Sequence, residues 1–400
     1  MSANTRIIPM TSTLLQEAKS LNERTVALRR QIHQHPELGL HLPRTQKAVL
    51  DALAGLDLDI ALSKQTSGIV ATLKGARPGP SVLLRGDMDA LPMPEETGLS
   101  FASQESGCMH ACGHDAHTAM LAGAAHLLHD YREHLNGSVR FMFQPGEEGP
   151  GGAKPMLDEG ILDPDGTLQS VYALHVEPEL PSGLIACRTG AILAAVDTGF
   201  ARLVGKGGHG SMPHNAIDPT PVACEIVQAV QTLVTRRFDV FDPVVATVGR
   251  IQSGTVSNVI PEFAEMDITL RSLSVETRER LAEGVERLIR KIPEAHGLSV
   301  EFELEKGYPP TVNSAAGEQS VKRACEAVLG ADKYFQMPAP YMGAEDFSYL
   351  LERFGGAFVF LGTAPPGQEP QPCHSSRMML DEEALPSGVA MYAALALQEL

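Results

Sequence analysis

The chain has 400 residues, 43% of them hydrophobic, which is enough for a sizeable buried core and, on length, for about two or three domains. Thirty-two Lys and Arg against 49 Asp and Glu leave a formal net charge of −17. That charge repels phosphate backbones and argues against a nucleic-acid partner. No apolar run reaches the roughly 18 residues of a membrane span, and Met1 to Met10 lacks the charged-then-apolar layout of an export signal. Six cysteines are too few for a disulfide scaffold and are expected as thiols or ligands in a reducing, cytoplasmic setting.

The first 60 residues read as helical, with Leu14, Leu15, Ala18, Leu21, Val26, Leu28 and Ile32 recurring at three- and four-residue steps. Three apolar segments then share one form. Ser81 to Leu84 runs into Arg85-Gly86-Asp87-Met88-Asp89. Ser138 to Phe143 runs into Gln144-Pro145-Gly146-Glu147-Glu148. Ser170 to Leu174 runs into His175. Each reads as a strand with ionisable residues at its carboxyl end, the edge where open α/β sheets bind ligands. Met120, Ala124, Leu127, Leu128, Tyr131 and Leu135 form a helical stripe between the first two.

The middle of the chain changes pattern. Val196–Val204 is expected as a strand, and Val222, Ile226, Val227, Val230, Leu233 and Val234 as a helix face. Val244–Ile251 and the alternating Met266, Ile268 and Leu270 follow as strands, then a helix carrying Leu281, Val285, Leu288, Ile289 and Ile292. A last alternating strand carries Val300, Phe302 and Leu304. The order β-α-β-β-α-β is the split βαβ of a ferredoxin-like domain. Residues 194–304 are therefore read as a domain inserted into a discontinuous α/β domain of residues 1–193 and 305–400.

The chemistry concentrates in Cys108-Met109-His110-Ala111-Cys112-Gly113-His114-Asp115-Ala116-His117. In extended backbone alternate residues share a side, which would bring His110, Cys112 and His114 together. Thiolate with imidazole suits zinc and other late first-row metals. A His-rich helix start with buried cysteines is the plainer alternative, against which Gly113 argues. Glu147-Glu148 on a glycine-flanked turn can place one carboxylate on a metal and the other on a proton, although two exposed surface acids would read the same. His175, and His374 in Cys373-His374-Ser375-Ser376, are single histidines that an ordinary core or surface position would also explain. Asp87 and Asp89 either orient ligands or close the loop after their strand.

Four segments together carry a resemblance: Arg85-Gly86-Asp87-Met88-Asp89-Ala90-Leu91-Pro92, His110-Ala111-Cys112-Gly113-His114-Asp115, Gln144-Pro145-Gly146-Glu147-Glu148-Gly149 and Ser257-Asn258-Val259-Ile260-Pro261. From about residue 25 onward the chain resembles the metal-dependent amidohydrolases of peptidase family M20. These include hippurate hydrolase, aminoacylase and the plant auxin-conjugate hydrolases, and the hippurate-hydrolase branch is the nearest. The resemblance implies a zinc-peptidase-like α/β catalytic domain with an inserted ferredoxin-like lid and dimerisation domain. It implies two divalent ions per chain (zinc, manganese, nickel or cobalt) held by Cys112, His114, Glu148, His175 and His374. Glu147 would be the general base and acid, and His209, in Gly205-Lys206-Gly207-Gly208-His209-Gly210, would steady the oxyanion. Asn258 and Arg271 would hold the substrate carboxylate, for which a guanidinium is the natural bidentate partner. Where other branches carry a ligand His at the end of the first strand this chain has Asp87, which receives no ligand role, and Cys108 matches no family role.

The expected activity is hydrolysis of N-acyl amino acids of the hippurate type by a cytoplasmic homodimer joined through the inserted domain, without nucleic-acid or membrane partners. A dipeptidase or an N-acetyl-diaminopimelate deacetylase on the same scaffold is the alternative enzyme. A retired, metal-stabilised binding protein is the alternative of another class.

Overall fold

Three helices open the described chain, α1 (Thr11–Ser20), α2 (Asn22–Gln34) and α3 (Pro43–Ala52), the last begun by a proline at its first turn, where the missing N–H costs nothing. The computed structural model describes residues 11–400, and the start examined for an export signal lies outside the described residues. Leu14, Ala18, Leu28 and Ile32 are buried, whereas Leu15, Leu21 and Val26 are only partly so. The stripe read from the sequence is thus two short helices with separate faces.

Strands β1 (Asp59–Leu62), β2 (Ile69–Lys74) and β3 (Arg77–Asp87) lead to helix α4 (His114–Asp130). They are followed by β4 (Asn136–Gln144), α5 (Ala153–Asp158), β5 (Leu168–Glu177), β6 (Ile185–Cys187) and β7 (Gly190–Leu193). Helix α4 ends before Leu135, which is buried ahead of β4, so the expected stripe is shorter than read. The chain continues with β8 (Ala195–Val204), β9 (Gly208–His209), α6 (Pro219–Arg237), β10 (Val245–Ser253) and β11 (Val259–Ile260). Then come β12 (Phe263–Ser272), α7 (Val275–Ala295) and β13 (Ser299–Lys306). The last elements are β14 (Thr311–Asn313), α8 (Ala315–Val328), β15 (Tyr334–Gln336), α9 (Ser348–Phe354), β16 (Gly356–Gly362) and α10 (Leu385–Glu399).

Contacts divide the chain into two units, Met1–Ile192 with Val312–Ala339 and Tyr349–Leu400, and Leu193–Thr311 with Pro340–Ser348. The first unit holds an eight-stranded sheet of order β1-β2-β4-β3-β5-β16-β6-β15. Its centre, β4-β3-β5-β16, is parallel, and β16 is buried at every residue, the mark of a sheet covered on both faces. Helices α4 and α10 are apolar almost all round and accordingly lie in the core.

From β3 the chain goes first to β4 on one side and later to β5 on the other. This is a topological switch point, where a crevice opens at the carboxyl ends of the strands. The pairing of β3 with β5 stops at Arg85 and Ala173, while β3 stays paired with β4 as far as Asp87 and Gln144, and β5 with β16 as far as Glu177 and Gly362. Two β5 amides beyond the split are satisfied by side chains. Leu174 N–H donates to the Tyr392 hydroxyl (3.1 Å), which itself donates to the Arg85 carbonyl (2.5 Å), and Val176 N–H donates to His117 Nε2 (2.8 Å).

The second unit has an antiparallel sheet of order β10-β12-β8-β13, the ferredoxin-like arrangement, with α6 and α7 packed on its apolar face. Ala264, Met266, Ile268 and Leu270 alternate inward along β12 against Ile226, Val230, Leu281 and Val285 of the helices. Side chains cap both helices, Asp218 accepting from Thr220 N–H and Ser274 from Thr277 N–H. Arg278 pairs with the buried Asp197 (2.5 Å) and donates to the Gly307 carbonyl (2.8 Å), tying the start of β8 to the segment after β13.

Removing the Tyr392 hydroxyl leaves the buried Leu174 N–H without an acceptor. Tyr392→Phe is expected to cost about 1–3 kcal/mol of stability, read as a lower urea midpoint for the first unit. An unchanged midpoint would show that this bridge across the split carries no load.

Candidate active site

The carboxyl ends of β3, β4 and β5 and the start of α4 converge at the split. Gly113, with φ of 80°, turns the chain from Cys112 into α4, and a Cβ there would meet Val176 Cγ2 at 2.2 Å. The turn makes His114 the first helical residue, next to Cys112 in space. Gly146, with φ of 76°, serves the same purpose after β4 and aims Glu147 and Glu148 back at the strand ends.

Asp89 organises the centre. Its carboxylate accepts from Glu147 N–H (2.9 Å) and Glu148 N–H (3.0 Å), and its carbonyl accepts from His114 Nδ1 (2.9 Å). That bond fixes the His114 tautomer and turns Nε2 inward. His175 is fixed likewise, Nδ1 donating to the Val176 carbonyl (2.7 Å) and Nε2 lying 3.4 Å from Cys112 Sγ. His374 has φ of 67°, a strained value for a residue with a Cβ, and its N–H is held by the Ala111 carbonyl (2.7 Å). Its Nε2 lies 3.1 Å from Glu148 Oε1.

All five residues read as ligands therefore come together. Cys112, His114 and His175 form one group of potential ligands, and Cys112, Glu148 and His374 another, the ligand atoms of each lying within 4.8 Å of one another. His114 also groups with Glu147 and Glu148 in this way, which sets Glu147 beside the cluster. His114 Nε2 and Glu148 Oε1 are buried and make no hydrogen bond among the described residues, their near neighbours being the Asp87 carboxylate (3.5 Å) and His374 Nε2 (3.1 Å), a set of polar atoms that a cation would take up. A donor set of one sulfur, three imidazoles and a carboxylate suits a late first-row divalent metal.

The charge balance agrees with a cation site. Burial alone would lower the His114 pKa, but Asp87, Asp89 and Glu148 reverse it and hold the ring well above its ordinary value. The carboxylates thus favour a positive charge at this position, whether proton or metal. The Cys112 thiol is pushed well up by its hydrogen bond with Cys373, by burial and by Glu148 and Glu147. Burial, with His117 alongside, keeps His175 neutral and free to act as a ligand.

Asp87, His114 and His117 make a further group, but the first and last are already committed. Asp87 accepts from Arg85 (2.5 Å) and from His117 Nδ1 (2.6 Å), and His117 Nε2 accepts from Val176 N–H. His110 does not share a side with Cys112 and His114 as alternation implied, because the backbone turns at His110 itself, where Ala111 N–H donates to the Met109 carbonyl (3.0 Å). Its ring is buried 6.2 Å from that of His33. Cys108 is an ordinary buried thiol with its pKa pushed up to about 11 by burial.

Sequence reasoning missed two supports. His117 stands three residues after His114 on α4, a spacing that puts both rings on one helix face. Asp115 is held by Arg29 (3.0 Å) and His33 (2.8 Å), fastening the first turn of α4 to α2. Burial opposes the charge on His33, but Asp115 and Glu95 outweigh it and raise its pKa to about 9. Nothing local to Arg29 or His33 in the sequence signals this partnership.

The other three residues named for the site lie in the second unit. His209 pairs with Val259 between β9 and β11, and Gly210 N–H donates to the Asn258 carbonyl (2.8 Å), so His209 and Asn258 are neighbours. His209 Nδ1 accepts from Ser211 N–H (3.1 Å), leaving the proton of the neutral ring on Nε2. Arg271 on β12 is half-buried, its pKa is lowered by burial, and no carboxylate among the described residues pairs with it.

Residues 83–398 match the profile of Peptidase family M20/M25/M40. The chain belongs to this family. It is 36% identical over 379 residues to N-acetylcysteine deacetylase of Bacillus subtilis, covering 94% of this chain and 97% of that protein. It is also 36% identical over 393 residues to IAA-amino acid hydrolase ILR1-like 2 of Arabidopsis thaliana, covering 97% and 88%. The structure of the Bacillus subtilis YXEP protein, described as a dinuclear metal binding peptidase from the M20 family, superposes with a TM-score of 0.81 at 35% identity, covering 95% of this chain and 98% of that one.

Cation binding at this cluster must displace the protons held on Cys112 and His114. Titration with a divalent cation is expected to release protons, and affinity to fall as pH falls. Cys112→Ser should lower metal content, while Cys108→Ser should leave it unchanged. Full metal content in the Cys112 variant would remove that thiol from the site.

Proposed function

We propose that the protein is a dinuclear-metal amidohydrolase that cleaves N-acyl amino acids to a carboxylic acid and a free amino acid. The observation that carries this reading is the convergence of Cys112, His114, Glu148, His175 and His374 on one buried cluster of potential ligand atoms, with Glu147 beside them. Two divalent ions (zinc, manganese, nickel or cobalt) held by those five residues would polarise the scissile carbonyl and acidify the attacking water. Glu147 takes the proton of that water and delivers it to the leaving nitrogen, its backbone held in place by Asp89. His209 offers its Nε2–H to the developing oxyanion. Arg271, half-buried and without a carboxylate partner among the described residues, binds the free carboxylate of the amino acid, with Asn258 assisting.

The preferred acyl group is the finer question. An aromatic acyl group of the hippurate type is the reading favoured here. The N-acetylcysteine deacetylase likeness supports a second, in which the acyl group is acetyl. Rates on benzoyl-, indoleacetyl- and acetyl-amino acids, beside dipeptides, decide between them. A homodimer joined through the second unit completes the proposal. Val240 and Phe241 are 83% and 92% exposed just before β10, which is an open edge of its sheet. A fully active monomer in sedimentation would rule the dimer out. Six cysteines without a disulfide fit a cytoplasmic setting.

Glu147→Gln is expected to keep its metals and lose about 10²–10⁴-fold in kcat, whereas Glu148→Gln should lose metal as well. Equal metal loss in both variants, with kcat retained in Glu147→Gln, would overturn the division of roles. Arg271→Ala should chiefly raise KM, because its contact exists in ground and transition states alike. Amidating the substrate carboxylate should reproduce that effect in the wild type and add little in the variant.

A further inference from the structure

His117 is fully buried between two residues of the metal cluster, its ring centroid 4.6 Å from that of His175 and 5.4 Å from that of His114, yet both of its nitrogens are engaged elsewhere. Nδ1 faces Asp87 Oδ1 at 2.6 Å, and Asp87 is itself fixed by Arg85 at 2.5 Å, while Arg85 Nε donates to Gln144 at 2.9 Å. A ring that donates to a carboxylate through Nδ1 presents a lone pair at Nε2, and that lone pair takes the Val176 N–H at 2.8 Å.

Val176 is the backbone on which His175 turns. Its carbonyl receives His175 Nδ1–H at 2.7 Å, and its N–H belongs to the peptide joining it to His175. In a continuous parallel sheet β3 would satisfy that amide, but β3 and β5 are unpaired beyond Arg85 and Ala173. Without His117 the amide would be buried and unsatisfied, and only the pairing with β16 on the other side would hold the peptide that carries the His175 ring.

We infer that His117 is a positioning residue for the metal centre: with Asp87 it replaces the missing strand partner at the split and so fixes the direction in which His175 Nε2 points at the cation shared with Cys112. This rests on the reading of Cys112 and His175 as ligands. It gives Asp87 a structural role, as the acceptor that sets the His117 tautomer. Partners behind a ligating histidine are worth about 10–100-fold in metal affinity.

The test is a cobalt(II) titration of the metal-free protein, followed by the thiolate-to-cobalt absorption in the near ultraviolet. Glutamine at 117 places an amide oxygen near the position of Nε2, whereas asparagine reaches Asp87 but falls short of Val176. His117→Gln is expected to bind cobalt within a few-fold of the wild type. His117→Asn should need about 10–100-fold more cobalt to develop the same band, with the band intact at saturation. An unchanged titration in His117→Asn overturns the inference, and equal losses in both variants would reduce His117 to a packing residue. If the wild type gives no thiolate band, the ligand reading itself fails, a result distinct from either. Should His117→Asn not fold, nitrogen-15 spectra of the wild type loaded with zinc decide. A scalar coupling across Val176 N–H to His117 Nε2, with the ring proton on Nδ1, supports the role. A ring proton on Nε2 overturns it.

Discussion

The parting of β3 from β5 is the constraint from which the site follows. Up to Arg85 and Ala173 the two strands satisfy each other's backbone groups, and beyond that point each must find other partners. Tyr392 and His117 take the amides of β5, and Thr118 takes the Asp87 carbonyl at 2.6 Å. The crevice this opens is lined by the strand ends and by the turns and connections that follow them. Asp87 and His175 stand on the strands themselves, and the Asp89 carboxylate holds the turn of Glu147 and Glu148 against them through two amides, the support a catalytic constellation requires.

Electrostatics explains why such a crevice favours a cation. Asp87, Asp89 and Glu147 are buried, Glu148 is nearly so, and Arg85 is the guanidinium paired with Asp87. Like charges at this spacing repel strongly at the low effective dielectric of an interior. The folded chain responds by favouring a proton on His114 and keeping one on Cys112, both of which a divalent ion would replace. On this view the strained backbone of His374 is held by its bond to Ala111 so that a fifth donor can reach Glu148.

Much of this was legible in the chain itself. Apolar runs ending in ionisable residues marked β3, β4 and β5, and strict alternation marked β12, because both patterns are one-dimensional consequences of a strand's two faces. The change from buried runs to alternation separated the α/β sheet from the ferredoxin-like one. The cluster around Cys112 was visible as composition but not as geometry. Alternation joined His110 to Cys112 and His114 because it assumes extended backbone, whereas the chain turns at His110, with Ala111 N–H on the Met109 carbonyl, and again at Gly113. The partnership of Asp87 with His117 across 30 residues, and of Asp115 with Arg29 across 86, depends on tertiary packing that no local pattern encodes. The roles proposed for His209, Asn258 and Arg271 came from resemblance alone, and the structure adds the tautomer of the first and, among the described residues, the absence of a carboxylate partner for the last.

The cluster at the split is proposed as a mixed thiolate, imidazole and carboxylate site for divalent metal. X-ray absorption at the zinc edge of the fully loaded protein tests it most directly, because sulfur and lighter scatterers are distinguished by distance. The account predicts a sulfur shell near ~2.3 Å together with nitrogen and oxygen scatterers near ~2.0–2.2 Å, in a ratio of one sulfur donor to several lighter ones. A spectrum fitted by nitrogen and oxygen alone would place the metal away from Cys112 and contradict the site as described.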